Sequence, residues 1–220
     1  MKGFGSSAKA VAYTAVMTAL VAVCTMLGIN IGTGYVNMGD AMIFVTATLF
    51  GGAPAMIAGG IGSFLADMIV YPTTMWFTLV IKGLEGLACG LLAHYLLPKF
   101  DKKKPLKITM NVVFMLAGAV IMVSGYFGTQ WLMWGTKESA LAQLPWDCLQ
   151  AVTGATVATL LLYCLRLESL VEKQLLAVGK KKHSDKPDSD NAVDTQSEKN
   201  ASDEVKDIAS EQENEPQGDE

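Results

Sequence analysis

The chain lacks the side-chain patterns on which many enzymes and metal sites are built. It has only four cysteines and two histidines, and no CxxC or Cys/His spacing favours a metal site or a disulfide framework. It contains no GxxxxGK[ST] loop for ATP phosphates, and no HExxH or GxSxG motif of a hydrolase. The sequence therefore predicts no enzyme, no catalytic residue, no cofactor and no metal.

Charged side chains are also absent from long stretches of the chain. Four runs contain no Asp, Glu, Lys or Arg, namely 10–39, 41–66, 108–136 and 148–165. A helix that crosses a membrane needs about 20 apolar residues. Because these runs fit that requirement, the sequence predicts an all-α integral membrane protein in a lipid bilayer.

The end of the chain has the opposite composition. Residues 1–182 hold 14 Lys+Arg and 8 Asp+Glu, a net of +6, whereas residues 183–220 hold 3 Lys and 13 Asp+Glu, a net of −10. The acidic end has no aromatic residue, so it cannot bury enough apolar surface to offset its chain entropy. We expect a membrane domain over 1–178 and a disordered, charged cytoplasmic tail over 179–220. The tail either solvates the chain or binds a partner, and no nucleic-acid partner is predicted.

Turn-forming residues divide the apolar part into six predicted membrane spans. Glycine adopts unusual dihedral angles and proline suits a helix start, so Gly51–Pro54, Tyr71–Thr73 and Pro98 are expected breaks. The predicted spans are approximately 9–29, 36–51, 54–70, 74–97, 107–130 and 146–168. Residues 131–145 are predicted to form a longer loop.

Basic residues are distributed unevenly between the loops. Lysine and arginine are enriched in cytoplasmic loops. They precede the first span, fill the loop around 98–107 and follow the sixth span, whereas the loops on the other side contain only Lys137. With six spans, this pattern predicts a multi-pass protein of the bacterial cytoplasmic membrane whose two termini are both cytoplasmic.

Lys82 and Glu85 lie in the middle of the fourth predicted span. A rise of about 1.5 Å per residue places them roughly 12 Å and 16 Å along the span, near the midplane of a core about 30 Å thick. They share one helix face with Thr78, Gly86 and Cys89. Two interpretations remain open: a self-neutralising structural pair, or a pair that lines a solute cavity, as ionisable groups inside membranes often do.

Further polar residues lie near the predicted outer ends of the spans. Asn37 can cap the second helix and Asp40 suits its positive dipole end, and both roles are compatible with ligand contact. Asp67 lies at a C-terminal helix end, where the dipole disfavours a carboxylate, so it needs water, a cation or a solute. Asp147 fits an ordinary helix start, and Gln150 lies one turn deeper.

Aromatic residues are more frequent on the predicted outer side. An interfacial belt accounts for part of this cluster. The asymmetry also favours an aromatic pocket, which would suit a small flat heterocycle. The aromatic candidates for solute contact are Trp76, Tyr126 and Trp131.

One long stretch resembles a known family. YVNMGDAMIFVTATLFGGAPAMIAGGIGSFLADMIV, with Thr78 to Leu92, is similar to the substrate-binding S components of energy-coupling-factor (ECF) vitamin transporters, in the riboflavin-transporter-like branch. The motifs that carry the resemblance are Asn37–Asp40, Gly51–Pro54, Ala58–Gly62, Asp67 with the aromatic–Pro loop after it, Ile81–Gly86 and, more weakly, Pro145–Gly154. They cover about residues 9–168 and none of the tail.

The resemblance implies a six-helix protein that binds a vitamin or precursor near the outer face, under the loops after spans one, three and five. It implies docking onto a transmembrane coupling subunit and two cytoplasmic ATPases, and inward delivery by toppling of the whole S component. Ala15 and Ala19 match the family's AxxxA docking pattern, with Ala8 and Ala12 as the alternative. Asp147 stands where the family is expected to have Asn, which favours a changed solute preference.

The expected function is therefore that of an ECF S component for a small, water-soluble, heteroaromatic vitamin or precursor. The predicted solute-binding residues are Asn37, Asp40, Asp67, Trp76, Lys82, Glu85, Tyr126, Trp131, Asp147 and Gln150. The excess of carboxylates favours a solute with an amino or ring-nitrogen donor. The alternatives are a non-transporting scaffold or assembly subunit and a self-sufficient secondary carrier.

Overall fold

The computed structural model describes residues 7–31, 34–165 and 167. In these ranges the chain forms six α-helices and one two-stranded sheet. Their bounds are α1 Ser7–Met26, β1 Ile29–Ile31, β2 Gly34–Val36, α2 Gly39–Phe50, α3 Gly52–Val70, α4 Met75–Leu96, α5 Lys104–Trp134 and α6 Lys137–Thr159. A 3-10 turn, Leu97–Phe100, follows α4, and a π-helical turn, Leu160–Cys164, follows α6. The predicted acidic tail over 179–220 lies outside the described residues.

Five helices in the described ranges are long and apolar enough to cross a membrane, namely α1, α3, α4, α5 and α6. This confirms the predicted class of helical membrane protein. The segment predicted as the second span, 36–51, contains the 12-residue helix α2. At about 1.5 Å per residue it is only about 18 Å long, which is short against a hydrocarbon core of about 30 Å.

The short helix α2 is the most enclosed helix of the bundle. Ten of its 12 residues are buried, and it contacts α1, α3, α4 and α6. Its sequence is apolar on all sides, as expected for a helix surrounded by others. Because Asp40 lies in the first turn of α2, this packing carries a carboxylate into the interior of the protein.

Close packing between α3 and α4 depends on small residues. A Cβ added at Gly86 would lie 2.4 Å from the Ala55 carbonyl oxygen, and one added at Gly90 would lie 2.6 Å from the Gly52 Cα. Such distances leave no room for a side chain. The two backbones therefore approach closely through small residues, which is how helices gain van der Waals contact in lipid.

The segment between α1 and α2, predicted as a loop, contains a short antiparallel hairpin. Ile29 pairs with Val36, and Ile31 pairs with Gly34. Strand β2 packs against α6. The hairpin thus lies at the end of the bundle where α2, α4 and α6 begin, which we call the hairpin end.

The prediction of a long loop over 131–145 is wrong. Helix α5 continues to Trp134 and α6 begins at Lys137, so only two residues separate them. Gly135 ends α5 in a left-handed conformation (φ 66°), and Thr136 is extended. Glycine adopts this conformation without steric cost. Pro145, which directly precedes the predicted start of the sixth span, lies inside α6.

Candidate functional site

A cluster of buried polar side chains lies where α2, α4 and α6 meet. Lys82 donates hydrogen bonds from Nζ to Asp40 Oδ1 and, over 3.1 Å, to Glu85 Oε2. Gln150 donates from Nε2 to Asp40 Oδ2 over 3.0 Å. All four side chains are at most 4% exposed. We call Asp40, Lys82, Glu85 and Gln150 the charge cluster.

The charge cluster holds more carboxylate than ammonium. Its two carboxylates share the single ammonium of Lys82, so its formal charge is −1. Glu85 Oε1 is buried and has no hydrogen-bond partner among the described residues. Most buried polar atoms in proteins are paired, and moving charges out of water is costly unless the pairing is good. This site therefore has one acceptor that no described residue satisfies.

Gln150 links the charge cluster to the hairpin. Its Oε1 accepts a hydrogen bond from the backbone N–H of Asn37 over 3.1 Å, directly after β2. The Asn37 side chain accepts a bond from the Gly39 N–H over 2.9 Å, which satisfies one free donor at the start of α2. A Cβ added at Gly154 would lie 2.9 Å from the Asp40 Cβ. The absence of that side chain lets α6 approach α2.

A second set of polar residues connects α3, α4 and α5 and lies nearer to the start of α4. Tyr126 donates its hydroxyl to Thr78 Oγ1 over 3.1 Å, and Thr78 donates to Asp67 Oδ2 over 2.6 Å. The Lys82 ammonium lies 5.6 Å from the centroid of the Tyr126 ring, within the range of a cation–π contact. We call Asp67, Thr78 and Tyr126 the Thr78 chain. Because Thr78 lies on the same face of α4 as Lys82, the Thr78 chain extends the polar surface that begins at the charge cluster.

Thr78 was not among the predicted site residues, although it is 1% exposed and makes both of these bonds. Its position four residues before Lys82, on the same face, was the signal that could have selected it. A second omission is the buried pair of Thr48 and Asn111, whose side chains are 3.2 Å apart between α2 and α5. Asn111 places an amide side chain in the largely apolar run 108–136, and this was its signal.

No hydrogen bond or ion pair found among the described residues joins three of the predicted site residues to either polar group. Asp147 is buried and accepts a bond from Gln143 Nε2 over 3.1 Å. Trp76 is 63% exposed and packs on Phe64, with ring centroids 5.1 Å apart. Trp131 is 46% exposed, and the Lys137 ammonium lies 5.0 Å from its ring centroid. A solute contact by any of the three stays a prediction.

The two polar groups together offer ion-pair and hydrogen-bond contacts at the hairpin end. Among the described residues, no group of three or more His, Cys, Asp or Glu side chains could hold a metal ion. The site offers carboxylates, an ammonium, an amide and a phenol at fixed positions. Such groups suit recognition of a small polar molecule.

Comparison with known proteins gives the same class of function. The model of the family described as ECF-type riboflavin transporter, S component, matches residues 5–167. A protein of Pyrococcus woesei described as "Uncharacterized protein in gap 3'region" is 37% identical over 149 residues, which cover 66% of this chain and 94% of that protein. The family is one of substrate-binding transporter subunits in the membrane, not of enzymes. The chain belongs to the S-component family of ECF-type riboflavin transporters.

Proposed function

We propose that this S component binds a small, water-soluble, heteroaromatic vitamin or precursor at the hairpin end and delivers it inward with a coupling subunit and two ATPases. The observation that carries the proposal is the charge cluster, which brings side chains from α2, α4 and α6 together at the hairpin end. Ionisable groups at membrane depth are expensive and usually serve function. In a substrate-binding subunit, the function of these groups would be to bind the substrate.

The distribution of basic residues supports an outward-facing hairpin end. The lysine-rich segment between α4 and α5 lies at the opposite end of the bundle, where α4 ends and α5 begins. Basic loops are retained in the cytoplasm. On this basis α1 to α6 form a six-helix membrane domain in the cell membrane with both termini cytoplasmic, and a solute reaches the site from outside.

The exposure of α1 supports docking through this helix. Ala15 and Ala19 are both exposed, as are Ala8 and Ala12. Only 17% of the apolar stretch of α1 is buried within the described part of the chain. Small residues at four-residue spacing let a partner helix approach closely. The Ala15/Ala19 face is therefore the proposed contact with the coupling subunit, and the rest of this helix meets lipid.

Solute binding is tested by native mass spectrometry of the full chain purified in mild detergent. We expect a bound small molecule, and the released solute should raise the melting temperature of solute-free protein. A ligand at 100 times its dissociation constant contributes about 2.7 kcal/mol. A chain that carries no small molecule, and that no vitamin stabilises, would be a scaffold and not a transporter subunit.

Docking is tested separately by co-expression with the coupling subunit and ATPases from the same source. Ala15→Leu combined with Ala19→Leu should abolish co-purification of these partners while solute binding persists. Ala53→Leu, at an exposed alanine on α3, is the matched control and should keep the complex intact. Solute uptake without the ATPases that an ionophore abolishes would instead identify a self-sufficient carrier.

A further inference from the structure

The buried charges in the described part of the chain are strongly unequal in number. Three carboxylates are buried, those of Asp40, Glu85 and Asp147, whereas Lys82 is the one buried cation among the described residues. Asp67 adds a fourth, partly buried carboxylate on α3. A buried ion that is not neutralised by a partner is strongly destabilising. Counted as ionised groups, these side chains have a deficit of positive charge.

The single buried cation is already fully engaged. Its ammonium contacts the carboxylates of Asp40 and Glu85 and lies over the ring of Tyr126. An anionic solute would have to compete with these carboxylates for the Lys82 ammonium and would add a further negative charge to the charge cluster. The arrangement thus disfavours an anion on electrostatic grounds.

The unsatisfied oxygen of Glu85 shows where the deficit lies. Glu85 is 0% exposed, and its Oε2 accepts from Lys82 while its Oε1 has no partner among the described residues. An ammonium or a protonated ring nitrogen that donates to this oxygen would satisfy the acceptor and bring the charge cluster to a formal charge of zero. Charge-assisted hydrogen bonds of this type are among the strong ones.

We infer that the solute is a cation, and that its positively charged nitrogen pairs with Glu85 in the charge cluster. The group is an ammonium or a protonated nitrogen of a heterocycle, either of which has an N–H to donate to Glu85 Oε1. This inference rests on the proposed function and adds the charge of the solute to it. Lys82 then holds Asp40 and Glu85 in place and does not itself neutralise an anionic ligand.

The first test compares two substitutions in the solute-free full chain. Glu85→Gln keeps an oxygen for the Lys82 bond and removes the excess negative charge, so it should raise the melting temperature by several degrees. Asp101→Asn removes a carboxylate that is 60% exposed and should leave it unchanged. An unchanged or lower melting temperature for Glu85→Gln would show that Lys82 and Glu85 form a structural pair that needs no further cation. That result would overturn the inference.

The second test uses probes that differ in charge at nearly constant shape. Pyridoxamine and 4-pyridoxate place a net positive and a net negative charge on the same ring. Thiamine, riboflavin and pantothenate, which differ in shape, add a second cation, an uncharged molecule and a second anion. A cationic probe should raise the melting temperature of the wild type most, and Glu85→Gln should weaken its binding at least tenfold. Asp101→Asn should bind it as the wild type does.

The outcomes separate the inference from the function on which it rests. If riboflavin, pantothenate or another uncharged or anionic probe stabilises the protein more than either cation, the inference fails and the proposed function stands. Failure of both cations to stabilise the protein also overturns the inference. If, in addition, no other probe stabilises the chain and no small molecule copurifies with it, the proposed function fails as well.

Discussion

Two lysine–carboxylate contacts in this protein use the same chemistry in opposite surroundings. Lys107 Nζ lies 3.0 Å from Asp101 Oδ1, and these side chains are 18% and 60% exposed. Lys82 contacts Asp40 and Glu85, and these side chains are 3%, 0% and 0% exposed. A solvent-exposed pair contributes about 0–1 kcal/mol to stability, whereas removing one partner of a buried pair costs about 3–5 kcal/mol.

The comparison shows that the burial of an ion pair, and not its chemistry, decides how strongly its loss affects stability. The pair of Lys107 and Asp101, whose carboxylate is exposed, is expected to contribute little, so its presence carries no information about function. The buried cluster is difficult to justify by stability alone, because well-packed apolar residues often stabilise such a site more. Under the proposed function, the cluster is retained at the hairpin end because it binds the solute.

The largest expected effect on stability is that of removing Lys82, compared with removing Lys107. Lys82→Met leaves two carboxylates buried without a cation and should lower the free energy of unfolding by about 3–5 kcal/mol. Lys107→Met should change it by no more than about 1 kcal/mol. Thermal melts of both variants in the same detergent measure the difference. Equal melting temperatures would remove the distinction between the two sites.

A smaller effect is expected where α6 approaches Asp40. Gly154→Ala would place a Cβ 2.9 Å from the Asp40 Cβ, so α6 or Asp40 must shift and the Gln150 bond to Asp40 should weaken. We expect tenfold weaker solute binding and a lower melting temperature. Gly128→Ala, with no atom within 4 Å of the added Cβ, is the control and should bind solute normally. Normal binding by Gly154→Ala would show that this spacing does not matter.

The hydrogen bonds of the Thr78 chain should contribute less to stability than the charge cluster does. Thr78→Val keeps the shape but removes the bonds to Asp67 and Tyr126, which should cost about 1–3 kcal/mol because buried polar atoms lose their partner. Thr109→Val removes a hydroxyl that is exposed and bonds only to its own helix. It should have almost no effect. Solute titrations and melts of both variants distinguish a shared polar site from two independent ones.

The smallest expected effect is that of salt. Raising the ionic strength from 0.1 M to 1 M shortens the Debye length from about 10 Å to about 3 Å. The coupling energy of Lys107 with Asp101 in a double-mutant cycle should fall towards zero. The coupling of Lys82 with Asp40 should persist, because no solvent separates them. A buried coupling that disappears in salt would indicate that water reaches the cluster.

The sequence predicted the membrane class because uncharged runs alone are sufficient evidence for it. It also selected Asp40, Lys82, Glu85 and Gln150 as site candidates, since polar groups within apolar runs are conspicuous. It did not predict that Lys82 pairs with Asp40, 42 positions away. That contact depends on how α2 packs against α4, and no local pattern encodes it.

The failures have local causes that can be named. Residues 131–145 were predicted as a loop, yet Pro145 is accommodated inside α6 and Ala140 is packed at 1% exposure. The length of α2 was overestimated because its apolar run merges with its neighbours. Glycines with positive φ, Gly51 and Gly135, end α2 and α5, whereas the start of α6 ahead of Pro145 does not follow from local propensity alone.

The central claim is that the charge cluster binds the transported solute. The most direct test is native mass spectrometry of three full-length proteins purified in parallel: the wild type, the charge-free triple variant Asp40→Asn, Lys82→Met and Glu85→Gln, and the exposed-pair variant Asp101→Asn with Lys107→Met. The account predicts the same bound small molecule on the wild type and the exposed-pair variant, and none on a folded triple variant. A triple variant that retains the molecule at wild-type occupancy would contradict it.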